Sequence, residues 1–368
     1  MRILHVVATD QRRGGEILAG DVAGALAGEG IDQRVAVLRP TGGSGLSFAV
    51  PTVEMPRGWF VPGLRTDAAA VRSLRRVVRE WAPDVVQGWG GEPFRYAVFS
   101  ARGRPVVYTR IGLAAPRATS GLRRLGHRRL MLRAARIVAV ADAVRRETVG
   151  VFGIPADRVE VIPSARDARA VEATRSRGQT RRSLGLPTEV PVVLSLGSLS
   201  EEKDPLAHLE VVRRARDSVP DAVHVVAGDG PLREAVEEAA RATGPSVRFL
   251  GPVTETGNLL GASDVMLLAS RSEGMPQVLI EAGMAGVASA AYAVAGVPEL
   301  IVDGETGLLA PPGDVDALAG AVARLLSDEE ARRAMGRLAH ERCLAMFDVG
   351  VVAPRYLALY EELAAGRR

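Results

Sequence analysis

The chain has 368 residues, 47% hydrophobic and 24% charged, the balance of a globular protein with apolar material for two domains. Its single cysteine, Cys343, excludes a disulfide framework and suits a reducing compartment. The formal charge of +4 hides a split, +13 over residues 1–180 and −9 over residues 181–368, so one half is suited to an anionic surface or acceptor.

Arg2–Ala8 reads as a first strand, followed by the loop Asp10–Gly15 and a helix from about Glu16 to Gly28. The Gly14-Gly15 pair would let backbone approach a ligand at the sheet's carboxyl edge, although a plain turn fits equally well. Residues 33–38 form a second strand, and Thr41–Arg65 reads as a long loop carrying Trp59-Phe60-Val61. Asp67–Trp81 has helical spacing with an Arg-rich outer face, and strands follow at Asp84–Gln87 and Pro105–Thr109, the latter ending in Arg110-Ile111-Gly112. Gly121–Arg133 is a basic amphipathic helix, either a membrane-surface element or a solvated face. Strands at 137–141 and 159–162 complete the first sheet, and Asp142 is placed as a helix N-cap. Ser164 to about Pro187 lacks periodicity and marks the domain boundary. Strands at 191–196, 223–227, 247–250, 264–269 and 287–291 then alternate with helices, the pattern of a second parallel sheet. A terminal helix runs over Tyr356–Ala365, after a break at 348–350.

No stretch approaches the roughly 20 apolar residues of a membrane span, and the apolar run after Arg2 is short for a signal peptide. A cytoplasmic protein is expected, at most peripheral at the inner face of a membrane. Nucleic acid is not an expected partner, since aromatic residues make up only 4% and no binding motif occurs. The five histidines show no metal-ligand spacing, and Asp314-Val-Asp316 reads as a helix cap after Pro311-Pro-Gly313, so no metal is expected.

The stretch most suited to chemistry is Ser272–Gly286. It follows a buried strand and reads strand, loop, helix, with Gly274 at the turn and Pro276 suited to the first helical position. Such a loop aims backbone amides and the positive end of a helix at an anion. Glu273 lies on the loop and Glu281 two turns into the helix, roughly 12 Å along the axis, too far apart to share a proton but placed to hold two ends of one polyol. Lys203 is the only lysine among 47 basic residues, on the loop Gly197–Pro205 after a strand, and a point charge there suits a diphosphate. Ala227-Gly228-Asp-Gly230-Pro and Phe249-Leu-Gly251-Pro-Val253 are further strand-end turns.

Glu273 and Glu281 with their flanking residues resemble the Glu-x7-Glu motif of retaining glycosyltransferases of family 4 (glycosyl transferases group 1). The resemblance implies an α/β fold of GT-B type, two Rossmann-like doubly wound parallel-sheet domains facing across a cleft. It divides the chain into residues 1–167, an acceptor-side domain, 168–349, a nucleotide-sugar donor domain, and 350–368, a helix packing back towards the first domain. By the same resemblance, Glu273 approaches the donor sugar and Lys203 the diphosphate, and these two are the catalytic candidates. The backbone of Gly274, Met275, Pro276, Gln277 and Val278 also faces the diphosphate, with Gly15 from the first domain, while Glu281 holds the ribose. Ser198, Gly228 and Gly251 complete the donor site, and Arg110 and Trp59 are acceptor-side candidates.

Three positions depart from the family pattern. Ser198 stands where an Arg is usual, Ser164-Ala165 replaces Asn-Gly before Asp167, and Ile111 replaces a frequent His. The expected activity is metal-independent, retaining transfer of a sugar from a nucleotide-diphosphate sugar, a co-substrate rather than a cofactor, to a sugar, lipid-linked or small-molecule hydroxyl. The alternatives are a weakly catalytic sugar-nucleotide-binding subunit and a GT-B-type epimerase.

Overall fold

The computed structural model describes all residues except 42–45, 57, 59, 62–65 and 367–368. It divides into two compact units, Met1–Ala165 with Val349–Arg368, and Arg166–Asp348. Unit 1 begins β1 (Arg2–Thr9), α1 (Gly14–Ala27), β2 (Asp32–Arg39), β3 (Thr52–Glu54), β4 (Phe60–Val61), β5 (Thr66–Asp67), α2 (Ala68–Trp81) and β6 (Val85–Trp89). It continues α3 (Gly91–Ser100), β7 (Val106–Arg110), α4 (Gly121–Met131), β8 (Arg136–Ala139), α5 (Asp142–Gly150) and β9 (Val159–Val161). Seven parallel strands lie in the order β3-β2-β1-β6-β7-β8-β9, and β4 pairs with β5 in a separate antiparallel ribbon. Parallel strands are covered on both faces and so read as unbroken apolar runs; all five residues of β6 are buried. Where a helix lies over the sheet, its period shows instead: α2 buries Ala70, Leu74, Val78 and Trp81. Asp67 caps α2 by accepting from the Ala69 and Ala70 amides.

Unit 2 runs α6 (Arg177–Ser183), β10 (Val192–Leu196), α7 (Pro205–Ala215), β11 (Val223–Ala227), α8 (Arg233–Thr243), β12 (Val247–Gly251), α9 (Thr256–Ala262) and β13 (Val265–Leu268). Then come α10 (Gln277–Met284), β14 (Ala288–Tyr292), α11 (Val297–Leu300), β15 (Gly307–Ala310), α12 (Val315–Ser327) and α13 (Glu329–Phe347). Its six strands are also all parallel, ordered β12-β11-β10-β13-β14-β15. The chain then returns to unit 1 as α14 (Val349–Ala365). There Tyr360 donates to Gln87 at 3.2 Å, and Val352, Tyr356 and Leu359 are buried.

Several local expectations change. The loop expected over Thr41–Arg65 contains β3 and β4. The aperiodic stretch after Ser164 contains α6, opened by a capping box between Ser176 and Gln179 that a short polar helix needs. Asp142 is not an N-cap: Ala141 holds the extended cap conformation, and Asp142 lies in the first turn, paired with Arg146. The terminal helix starts at Val349, seven residues before Tyr356, and carries Pro354 inside it. Pro354 removes one backbone donor, whereas the buried face of the helix supplies the stabilisation.

Candidate active site

In unit 2 the strand order reverses between β10 and β13, which are hydrogen-bonded neighbours. The carboxyl ends of strands at such a switch point are where open parallel sheets bind ligands. The loop after β10 carries Lys203, and the loop after β13 carries Glu273. Four contacts clasp these loops together. The Ala269 amide donates to His208 Nε2 at 3.0 Å, and the Arg271 amide to the Glu202 carbonyl at 2.9 Å. Arg271 Nε reaches Asp204 Oδ2 at 2.6 Å, and Lys203 Nζ reaches Glu273 Oε2 at 2.5 Å. His208 donates from Nδ1 to the Asp204 carbonyl at 3.0 Å, so Nε2 is the accepting nitrogen. Burial pushes its pKa down to about 4, which keeps the ring neutral near pH 7. Asp204 takes a left-handed conformation (φ 45°) and caps α7 through the Ala207 amide. Asp tolerates that region better than most side chains.

Glu273 is buried, yet its Oε1 has no hydrogen-bond partner among the described residues, and neither do the buried hydroxyls of Ser200 and Ser270. Ser200 lies on the Lys203 loop and Ser270 on the Glu273 loop. A buried carboxylate oxygen left unsatisfied is costly, so these atoms, on the two loops that follow β10 and β13, make the loops a candidate place for a polar ligand. Gly274, Met275, Pro276 and Gln277 are buried, and Val278 is half-buried. Pro276 is the N-cap of α10, one position earlier than expected, because its ψ of 119° is extended. It offers no side-chain cap, and no acidic residue occupies the first turn. The first amides of α10 thus keep their attraction for an anion.

Glu281 is the fifth residue of α10 rather than two turns in, since the helix starts only at Gln277. Arg166 Nε donates to its Oε1 at 2.7 Å, and both side chains are almost wholly buried. Each glutamate thus has its own cation, Lys203 for Glu273 and Arg166 for Glu281. Arg166 stands between Ala165 and Asp167 of the family pattern, but nothing in the local sequence marks it as a partner 115 positions from Glu281.

The turns after β10, β11 and β12 are stapled together by bonds from Gly197 to Ala227 (3.0 Å), Leu199 to Asp229 (2.9 Å) and Gly228 to Gly251 (2.8 Å). A Cβ on Gly228 would lie 1.8 Å from the Gly197 carbonyl oxygen, so close packing of the turns already demands glycine there. Ser198 is exposed at the tip of its turn.

In unit 1, Gly15 lies in the first turn of α1, where a Cβ would meet Ile111 Cδ1 at 2.4 Å. Arg110 is buried, bonded to Glu147 and Thr148, with its guanidinium 5.2 Å from the Phe152 ring centre. Its charge is committed within unit 1. Trp59 lies outside the described residues. Asp314 caps α12 through the Ala317 amide, and Asp316 pairs with Arg214. No helix among the described residues is long and apolar enough to cross a membrane.

Two α/β units, each built on a parallel sheet, give the architecture of the GT-B class, and the comparisons assign the chain to the glycosyltransferases. The family described as "Glycosyl transferases group 1" matches residues 176–342, and that described as "Glycosyltransferase Family 4" matches residues 12–170. The chain is 31% identical to the 2-deoxystreptamine N-acetyl-D-glucosaminyltransferase of Streptomyces fradiae over 298 residues, 72% of this chain and 68% of that one. It is 29% identical to the 2-deoxystreptamine glucosyltransferase of Streptomyces kanamyceticus over 331 residues, 82% and 83% of the two chains. Its fold matches the Anabaena HepE structure in complex with UDP and glucose, with a TM-score of 0.85 and 20% identity over 98% of this chain and 100% of that one. The chain belongs to the group 1 glycosyl transferases, family 4.

Proposed function

We propose that this glycosyltransferase moves a sugar from a nucleoside diphosphate sugar to an acceptor hydroxyl, with retention of anomeric configuration and without a metal. The observation that carries the reading is the clasp of Lys203 on Glu273 beside the start of α10, with Glu273 Oε1 buried and unpartnered among the described residues. The Lys203 ammonium has three donors, so it can keep Glu273 and still meet a diphosphate oxygen. With the first amides of α10 it offsets the charge that builds on the leaving diphosphate, the work a metal ion performs elsewhere. Glu273 accepts hydroxyls of the donor sugar, and Glu281 those of the ribose. With Glu273 assigned to the sugar hydroxyls, the family resemblance favours acceptor attack on the face the diphosphate leaves, its oxygen taking the acceptor proton. Asp314 and Asp316 have other work, as a helix cap and an ion pair, which supports metal independence. The complex of HepE with UDP and glucose supports the donor class. Two relatives named for 2-deoxystreptamine support a small polyhydroxylated acceptor.

A second reading of the acceptor side rests on α4. Leu122 is 87% exposed and Leu125 39%, beside exposed Arg123, Arg124 and Arg129. Leu130 and Leu132, further along the same segment, are half-buried. This face suits peripheral contact with an anionic membrane and a lipid-linked acceptor.

The test is a panel of nucleoside diphosphate sugars with 2-deoxystreptamine and lipid-linked acceptors, assayed in excess chelator. Release of nucleoside diphosphate that requires acceptor, and a product whose anomeric configuration matches the donor by NMR, are expected. Turnover only after magnesium or manganese is restored, or an inverted product, would overturn the corresponding part.

A further inference from the structure

Arg166 and Glu281 form an ion pair buried almost completely on both sides. Replacing such a pair by apolar residues commonly leaves a fold as stable or more so, so stability alone does not account for it. Its surroundings are held on both sides. The Arg166 amide donates to the Phe347 carbonyl at 2.9 Å, and Arg166 bridges to Asp348 in strand fashion. Asp348 in turn accepts from the Ala168 amide at 3.3 Å. The helix bearing Glu281 is backed by α13, where a Cβ on Gly283 would meet Cys343 Sγ at 2.3 Å, so α10 packs directly against that partner. Arg166 is therefore anchored at the end of α13, while Glu281 rides on a helix packed against the same α13. The guanidinium is a planar fork, and a bond from Nε at 2.7 Å restricts how the carboxylate turns about its own axis.

We infer that Arg166 is a positioning residue that orients the Glu281 carboxylate towards the ribose hydroxyls of the nucleotide. The inference rests on the donor-site reading above and adds to it a residue whose effect appears only through Glu281. In this reading Glu281 makes the ligand contact and Arg166 acts through it.

The experiment is calorimetric titration of the full chain with uridine diphosphate and its 2′,3′-dideoxy counterpart. It compares wild type with Arg166→Lys, Arg166→Met, and the double variant Arg166→Met with Glu281→Gln. Wild type should prefer the ribonucleotide by about tenfold or more, the worth of a hydrogen bond to a charged group. Arg166→Lys keeps a charge beside Glu281, so it should fold, but it loses the fork and should lose most of that preference. It should do so by weakening the ribonucleotide alone. Arg166→Met strands a buried carboxylate and is the variant most at risk of not folding. The double variant removes both charges and should fold, binding the two nucleotides equally. If Arg166→Lys retained the full ribose preference, or weakened both nucleotides equally, the positioning role would be overturned while the donor site stood. A wild type that bound both nucleotides equally would instead overturn the placement of ribose at Glu281, and this inference with it.

Discussion

Strand β13 has an ionic cluster at each end, and the two differ in how completely they are satisfied. At its start, Asp264 takes ion pairs from Arg177 (2.6 Å), Arg181 (2.8 Å) and Arg332 (3.6 Å), and a bond from the Val192 amide at 2.8 Å. Arg181, 1% exposed, also donates to the carbonyls of Ala262, Pro187, Thr188 and Val190. At the other end, past the loop, Glu273 has one oxygen on Lys203 and the other without a partner among the described residues. A closed cluster ties segments together and has nothing left to bind. An open one costs the fold stability and retains capacity for a ligand. The same residue types, a few residues apart in sequence, therefore serve different ends.

The largest expected effect breaks the closed end. Asp264→Ala should strand a buried guanidinium and lower stability by about 3–5 kcal/mol, with nucleotide affinity per folded molecule unchanged. Chemical denaturation with parallel calorimetry checks this; a matching loss of affinity would show that the two ends are not separable. Next, at the open end, Lys203→Ala should weaken nucleoside diphosphate binding by about 1.5–3 kcal/mol. It also leaves Glu273 buried without its cation, so adding Glu273→Gln should restore melting temperature without restoring affinity. Recovery of both together would assign Lys203 a structural role only.

Histidine burial gives a third, smaller effect. Burial holds His5 and His208 at about 4 and His224 at about 3, below the unfolded value near 6.5. The unfolded chain therefore takes up protons that the folded chain does not. The stability from keeping these rings neutral is present above pH 6.5 and is lost as pH falls towards 4, by about 1.4 kcal/mol per pH unit for each ring. His208→Gln, which retains a donor and an acceptor, should lower that slope by one ring's share in denaturation curves measured from pH 7 to 5. An unchanged slope would mean that His208 already titrates in the folded clasp.

How far the sequence foretold these features depended on range. Buried parallel strands are legible because each is an apolar run with its own turn, as in β10 and β13. The loop bearing Glu273 was legible because strand, turn and helix start are contiguous. Short elements without a long apolar run carry less signal: β3 and β15 are only three and four residues long, and α6 depends on a capping box within a polar stretch. The pairing of Arg166 with Glu281 and the gathering of Arg177, Arg181 and Arg332 on Asp264 span tens to more than a hundred residues, and no local periodicity records them. Gly228 looked like a ligand turn, yet the approach of the Gly197 carbonyl already requires it. Glycine shows that something comes close without saying what.

The smallest effect concerns α4 in unit 1. With exposed leucines and arginines, it should bind vesicles of anionic lipid at low salt, with about 1 kcal/mol from each basic residue near the surface. Leu122→Asp should weaken sedimentation with such vesicles while leaving turnover on a small soluble acceptor intact. Equal, negligible binding of wild type to anionic and neutral vesicles would leave the soluble acceptor as the only reading.

The central claim is that the open end of β13 holds the sugar of a nucleotide sugar while Glu281 holds its ribose. Calorimetry on wild type, Glu273→Gln and Glu281→Gln, each titrated with a nucleoside diphosphate and the matching nucleotide sugar, tests it most directly. The account predicts that Glu281→Gln weakens both ligands, whereas Glu273→Gln spares the free nucleotide and removes only the added affinity of the sugar. Equal losses for both ligands in both variants would contradict it.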